Sequence, residues 1–157
     1  MKKKGEARLQ IGDILEILTS KGFAYMQYTH KHPVYGYLVR ILPGLYESPV
    51  SSYSEIVSYP ERFFVFVPLL LGLRQGKTKI VHNEPVPFHA QRFPLMRVEG
   101  WIDKSGKVQD WWLWDGEREW RIENLTQEQK TLSIRGVWGF ELLAERIASD
   151  WIPRNVI

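Results

Sequence analysis

Residues 109–120 read QDWWLWDGEREW and hold four of the chain's seven tryptophans in twelve residues. The direction in which those indoles point decides the layout of the second half of the chain. From Phe93 to Ile122 the sequence reads as three antiparallel strands, at about 95–102, 107–114 and 117–122. The first turn is Lys104-Ser105-Gly106. A three-residue loop with Gly106 in the left-handed region pairs Asp103 with Lys107 and Ile102 with Val108. A two-residue loop would instead set Lys104 against Lys107, like charge against like.

Alternation then sorts the side chains into two faces. Met96, Val98 and Ile102 join Val108, Trp112 and Trp114 on a core face. Arg97, Glu99, Trp101, Lys107, Gln109, Trp111 and Leu113 share the other. At the second turn, Asp115-Gly116, a two-residue loop places Glu117 and Glu119 on the core side with Trp114 and Trp112. A three-residue loop places Arg118, Trp120 and Ile122 there. Because a one-residue slip flips every side chain, the cost of burying carboxylates selects the three-residue loop, with Trp112, Trp114 and Trp120 as core. Trp101, Trp111 and Leu113 then either lie under another element or form an exposed partner-binding patch. The natural cover is a C-terminal helix: Phe140, Leu143, Ala144, Ile147 and Trp151 fall on one stripe at helical spacing, and Pro153 stops the run.

The first half opens with three strands, at about 12–18, 23–30 and 35–42, the first two joined by Thr19-Ser20-Lys21-Gly22. Ser52-Tyr53-Ser54-Glu55 has capping-box form and predicts a short helix ending before Pro60. Phe63–Val67 is apolar on both faces and predicts a central strand. Leu69–Arg74 and Lys77–His82 read as two more strands around Gln75-Gly76. Three prolines in NEPVPFHAQRFP, residues 83–94, make that stretch an irregular loop. The whole predicts one β-rich α+β domain over 11–157, mainly antiparallel, with a curled, SH3-like N-terminal sheet, a tryptophan-rich meander, one short internal helix and a C-terminal helix. Residues 1–10 read as a flexible basic tail.

The composition excludes several function classes. The chain of 157 residues has no cysteine, which removes thiol catalysis, thiolate metal sites and disulfides. No run is long enough to span a bilayer: the longest near-apolar one, Phe63 to Leu73, has 11 residues against about 20 for a transmembrane helix. The basic start lacks an apolar segment behind it and so is not a secretory signal; a cytoplasmic location is expected. Net charge is 21 − 18 = +3, all of it supplied by Lys2, Lys3 and Lys4.

Candidate sites follow from the remaining chemistry. In the loop 83–94, Phe88, His89, Gln91, Arg92 and Phe93 mix aromatic, hydrogen-bonding and cationic groups, the usual anchors of protein interfaces; alternatively Phe88 and Phe93 pin the loop to the sheet. With Trp101, Trp111 and Leu113 these residues form the candidate partner-binding set. A nucleic-acid reading rests on Arg74, Lys77, Lys79, Arg92 and Arg97 for phosphates and on Tyr25, Tyr28, Tyr35 and Tyr37 as stacking platforms. His30 and His32, two apart on a strand, have metal-like spacing if His82 or His89 joins them, but exposed histidines at a strand end are ordinary, and neither metal nor cofactor is expected. Glu117 and Glu119, about 7 Å apart by strand rise, read as solvated charges rather than an acid–base pair. Ser51, Ser52 and Ser54 belong to the helix cap. No nucleophile elbow, P-loop or dinucleotide fingerprint is present.

Gly12-Asp13-Ile14, the strand FAYMQY, the segment YGYLVRILPG and the later PERFFVFVPL, all in the first half of this chain, resemble the start of the immunity protein 26 family of bacterial polymorphic-toxin systems. The resemblance implies a cytoplasmic, β-rich protein that binds and neutralises a cognate toxin domain without catalysis. It carries no binding residues with it. Immunity proteins against nucleases are often acidic, and the near-neutral body of this chain departs from that pattern.

Overall fold

The computed structural model describes residues 9–156. Two antiparallel sheets carry the fold. Strands β1 (Asp13–Thr19), β2 (Gly22–His32), β3 (Gly36–Ile41), β4 (Phe63–Phe66) and β5 (Lys79–Asn83) form a five-stranded sheet in the order β4-β3-β2-β1-β5. Strands β6 (Met96–Glu99), β7 (Trp111–Trp114) and β8 (Glu119–Ile122) form a second sheet in sequence order. Helices α1 (Ser54–Ser58), α2 (Leu69–Arg74), α3 (Phe88–Gln91) and α4 (Phe140–Ala148) complete the α+β architecture. The expected SH3-like closure does not occur: β4 and β5 end the larger sheet on opposite sides, so it stays open.

Alternation along β1–β3 gives the larger sheet two buried faces. Leu15, Ile17, Met26, Val39, Ile41 and Val65 lie under Phe140, Leu143 and Ile147 of α4. The expected stripe of the C-terminal helix is therefore real, but it covers this sheet rather than the tryptophan meander. On the reverse face, Ile14, Tyr25 and Leu42 pack under Ile56 and Val57 of α1. Leu38 and Phe66 meet Met96 and Trp114, which joins the two sheets.

That reverse face also buries a polar row: Glu16, Tyr25, Gln27 and Arg40. Arg40 donates to Gln27 Oε1 (2.7 Å), to the carbonyls of Val57 and Tyr59, and to Glu61 Oε1 (3.1 Å). Burial lowers its pKa, opposed by the Glu61 carboxylate. Among the described residues every buried side-chain polar atom has a partner, as low-dielectric surroundings require.

Several expectations are corrected. Leu69–Arg74 is a helix: LLLGLR contains no β-branched residue and follows Pro68, so the local preference is helical. Phe63–Phe66 is buried on both faces as expected but ends the sheet instead of lying centrally. Its free edge is closed by residues 133–138: Ser133 Oγ accepts from Phe64 N, Gly136 O from Phe66 N, and Phe66 O from Trp138 N. The same segment pairs with β6 through Arg97 N to Ser133 O and Arg135 N to Arg97 O, both 2.9 Å. It thus ties the edges of both sheets together. The short helix at 54–58 forms without the predicted capping box; no side chain caps it, and Ser52 Oγ faces Ser54 Oγ instead. Most of the expected basic tail lies outside the described residues, but Leu9 packs on the core and Gln10 N donates to Asp13 Oδ2, so both belong to the folded body.

The hairpin registers divide. At the first, Ile102 pairs with Val108, Asp103 N donates to Lys107 O, and Gly106 has φ +85°, as expected. At the second, Trp114 pairs with Glu119 and Leu113 with Trp120, so Gly116-Glu117 is the turn centre and the rejected parity holds. The carboxylates are not buried by it: β8 is the outer strand, Glu119 bonds to Arg135 at 2.8 Å, and Arg121 bonds to Asp110 at 3.2 Å. Trp120, expected in the core, is 41% exposed; Trp114 is buried and Trp112 half-buried.

Candidate functional site

The stretch expected to be an irregular loop carries a helical turn, α3, opened by Pro87; a groove of about 860 Å³ opens between this 88–95 segment, the β2–β3 turn and the β7–β8 turn. Two histidines build it. A bulge between Tyr28 and His30 shifts the end of β2. His30 Nε2 then lies 2.7 Å from Gln91 O, holding the loop, and His32 Nε2 lies 2.8 Å from Gly116 O, holding the hairpin turn. His32 Nδ1 accepts from Val34 N and Tyr35 N at 3.1 and 3.2 Å. A nitrogen that accepts is unprotonated, so Nε2 carries the hydrogen and donates to the carbonyl. Phe93 packs between them, edge to face with His30 (5.4 Å) and with Trp114 (5.4 Å).

These contacts also dispose of the metal spacing. His30 and His32 face separate carbonyls, His82 stacks on Tyr53 and bonds to Glu84, and His89 lies 3.6 Å from Glu61. Among the described residues no group of three or more metal-capable side chains converges.

Arg92, His89, Trp120 and Glu117 line the groove, and Phe88, 90% exposed, lies on the same loop. The groove's charges balance: Lys31 and Arg92 against Asp115 and Glu117. Asp115 is committed to its turn. It accepts from Arg118 N (2.8 Å) and Glu117 N (2.9 Å), and those two donors hold its carboxyl below the usual range. Gln91 is exposed and caps the loop from within through Val86 O.

The predicted partner-binding set is therefore split. His89 and Arg92 line the groove, but Trp111 and Leu113 are buried. Over Trp111 lies Arg97, whose Cζ sits 4.4 Å from the ring centroid. Trp101 is 66% exposed and lies on the other hairpin, where its backbone N–H donates to Asp110 Oδ1. Trp120 was missed because the parity of β8 was misread; Lys31 and the β2–β3 turn gave no local signal.

The predicted phosphate patch loses one member. Arg97 is fully buried and donates to the carbonyls of Leu132, Val156, Lys130 and Pro153, so it has no fork left for a ligand. Arg74, Lys77 and Lys79 follow one another along the chain where α2 leads into β5, with Lys79 drawn toward Glu16 at 3.6 Å. Of the four stacking tyrosines, Tyr25 and Tyr28 are buried and Tyr35 and Tyr37 half-buried. Of the two β8-side carboxylates, Glu119 accepts from Arg135 at 2.8 Å and Glu117 lines the groove. No helix among the described residues is long and apolar enough to cross a membrane.

Family models, curated proteins and solved structures contain no match to this chain.

Proposed function

We propose that this chain is a non-catalytic protein-binding module whose contact face is the groove between the 88–95 loop and the β7–β8 turn. One observation carries the reading. Arg92 and Trp120 stand exposed in one concave surface, and arginine and tryptophan are the side chains most enriched among residues that dominate binding energy. Phe88 adds a large apolar group on the same loop. The walls are rigid because His30, His32 and Phe93 fix both flanks to β2, and preorganised walls lower the cost of association. The mixed charge of the groove favours a partner surface carrying both signs over a polyanion, which supports a protein partner rather than nucleic acid.

The resemblance of the first half to the immunity family narrows the partner to a bacterial toxin domain, neutralised in the cytoplasm by occlusion. The test is a binding titration of the full chain against the toxin domain encoded beside its gene. Arg92→Ala and Trp120→Ala are each expected to weaken binding by about 2 kcal/mol or more, roughly thirtyfold. Lys77→Ala, outside the groove, is expected to bind as the parent does. Parental affinity in both groove variants, or a preparation that binds only RNA, would refute the reading.

A further inference from the structure

Residue Arg146 of α4 stands against two indoles. Its Cζ lies 4.4 Å from the Trp138 ring centroid and 4.8 Å from that of Trp151, and the rings meet edge to face at 5.0 Å. Its guanidinium has no hydrogen-bond or ion-pair partner among the described residues. Asp150, four residues on, bonds to Arg62 instead at 2.9 Å. Stacking fixes the plane of a guanidinium while leaving its five edge N–H groups available, and that fork matches a carboxylate bidentately.

The guanidinium lines a second cavity of about 400 Å³, which shares no lining residue with the partner groove. Volumes of this size hold small ligands. Val98, Ile134, Leu142 and the two indoles supply the apolar part of a mixed lining. Two further charged groups line it. Arg135 is occupied by Glu119 and stacks over Tyr35 and Trp114. Glu99 sits near Arg97, each of whose three guanidinium nitrogens already donates to a carbonyl. One free cation facing one carboxylate disfavours a ligand with two negative charges.

We propose that this cavity binds a monocarboxylate carried on an apolar body, with Arg146 as the carboxylate fork and Trp138 and Trp151 as its walls. The chemistry is shared by a small free acid and by the carboxyl end of a peptide. The site stands apart from the protein-binding reading and does not depend on it.

The test follows the indole N–H resonances of Trp138 and Trp151 in the full-length protein. The probes are 3-phenylpropionate, its amide, and a short peptide ending in phenylalanine with free or amidated carboxyl. Saturable shifts with the acids and not the amides are expected, and Arg146→Gln is expected to weaken them at least about tenfold. Arg146→Lys keeps the charge without the fork and is expected to fall between; it also serves if the glutamine variant does not fold. The stronger of the two acid arms assigns the source as a small molecule or a chain end. Shifts that do not saturate, equal responses to acid and amide, or unchanged affinity in both Arg146 variants would overturn the proposal.

Discussion

Replacing Arg97 with methionine is expected to open the clamp that holds the chain's last turn against the smaller sheet. The side chain is fully buried and its guanidinium serves four carbonyls, of Leu132 (3.2 Å), Lys130 (3.1 Å), Val156 (2.7 Å) and Pro153. Methionine keeps the stem and removes every donor. A buried acceptor left without a partner costs ~1–3 kcal/mol, and the lost desolvated stacking on Trp111 costs ~2 kcal/mol. Two effects oppose this. The penalty for burying the cation, which is also what lowers the Arg97 pKa, is relieved by several kcal/mol. Some of the carbonyls also turn to water once residues 130–132 and 153–156 move. The net loss expected is ~3–5 kcal/mol. For a chain of this length each kcal/mol lowers Tm by about 2–4 °C, so the melting transition should fall by about 6–20 °C. The indole N–H resonance of Trp111, one of seven tryptophans, should move as well, because the indole loses its cover. Arg97→Lys, with three donors and no fork, is expected to fall between parent and methionine variant. A melting temperature within about 2 °C of the parent would refute the clamp; loss of nucleic-acid affinity at unchanged stability would return Arg97 to a phosphate-binding role.

Tyr25 should titrate late. Burial, opposed by the N–H of Val50 and reinforced by Glu16, pushes its phenol up to about 12. A folded pKa above the unfolded value means its contribution is fully present below about pH 10 and lost as pH rises through the folded value. Ultraviolet phenolate titration should therefore show a late-ionising tyrosine that Tyr25→Phe removes. Asp103 behaves oppositely: its bonds from Ser105 Oγ and from Lys107 N hold its carboxyl below the ordinary range. Its support for the 103–107 turn is present above the unfolded carboxylate pKa and disappears as pH falls through the depressed one. A lower protection of the Lys107 amide in acid, measured against its intrinsic exchange rate at the same pH and mimicked at neutral pH by Asp103→Ala, is the expected signature.

Legibility in the sequence followed the range of the forces involved. Strands β1–β3 and the first tryptophan hairpin were readable because alternation, a turn glycine and like-charge avoidance act within a dozen residues. The stripe on α4 was readable for the same reason, but its target was not: nothing local says which of two sheets Leu143 and Ile147 will meet. The 123–139 stretch carries no periodic signal, yet residues 133–138 close the edges of β4 and β6. Those bonds span tens of residues and leave no pattern nearby. Arg97 was sent outward by the rule that charges face water; four carbonyls from remote segments reverse it. The parity of β8 was misjudged by assuming that a face buried at β7 stays buried one strand further out. The groove inherits that error, since Trp120 sits on β8.

Gly116 is where the register and the groove meet, and substituting it tests both. It has φ +101°, a conformation that an alanine adopts only with strain. A Cβ there would lie 2.8 Å from Phe93 Cδ1 and 2.9 Å from Cε1. Phe93 cannot retreat freely, because it is wedged against His30, His32 and Trp114. The carbonyl of Gly116 also receives the His32 Nε2 hydrogen bond. Strain at positive φ costs of order 1 kcal/mol, and forcing a methyl into a filled contact costs ~1–3 kcal/mol. Gly116→Ala should therefore destabilise the fold by about 2–4 kcal/mol. If the groove is the contact face, partner affinity should fall as well, although position 116 offers a partner no side chain. Gly106→Ala separates the two effects: it has the same handedness at φ +85° and open space around its Cβ, far along the other hairpin. It should cost only the backbone strain and leave partner affinity intact. Equal stability losses in the two variants would mean that Phe93 does not brace the turn, and the groove's rigid flank would go with it.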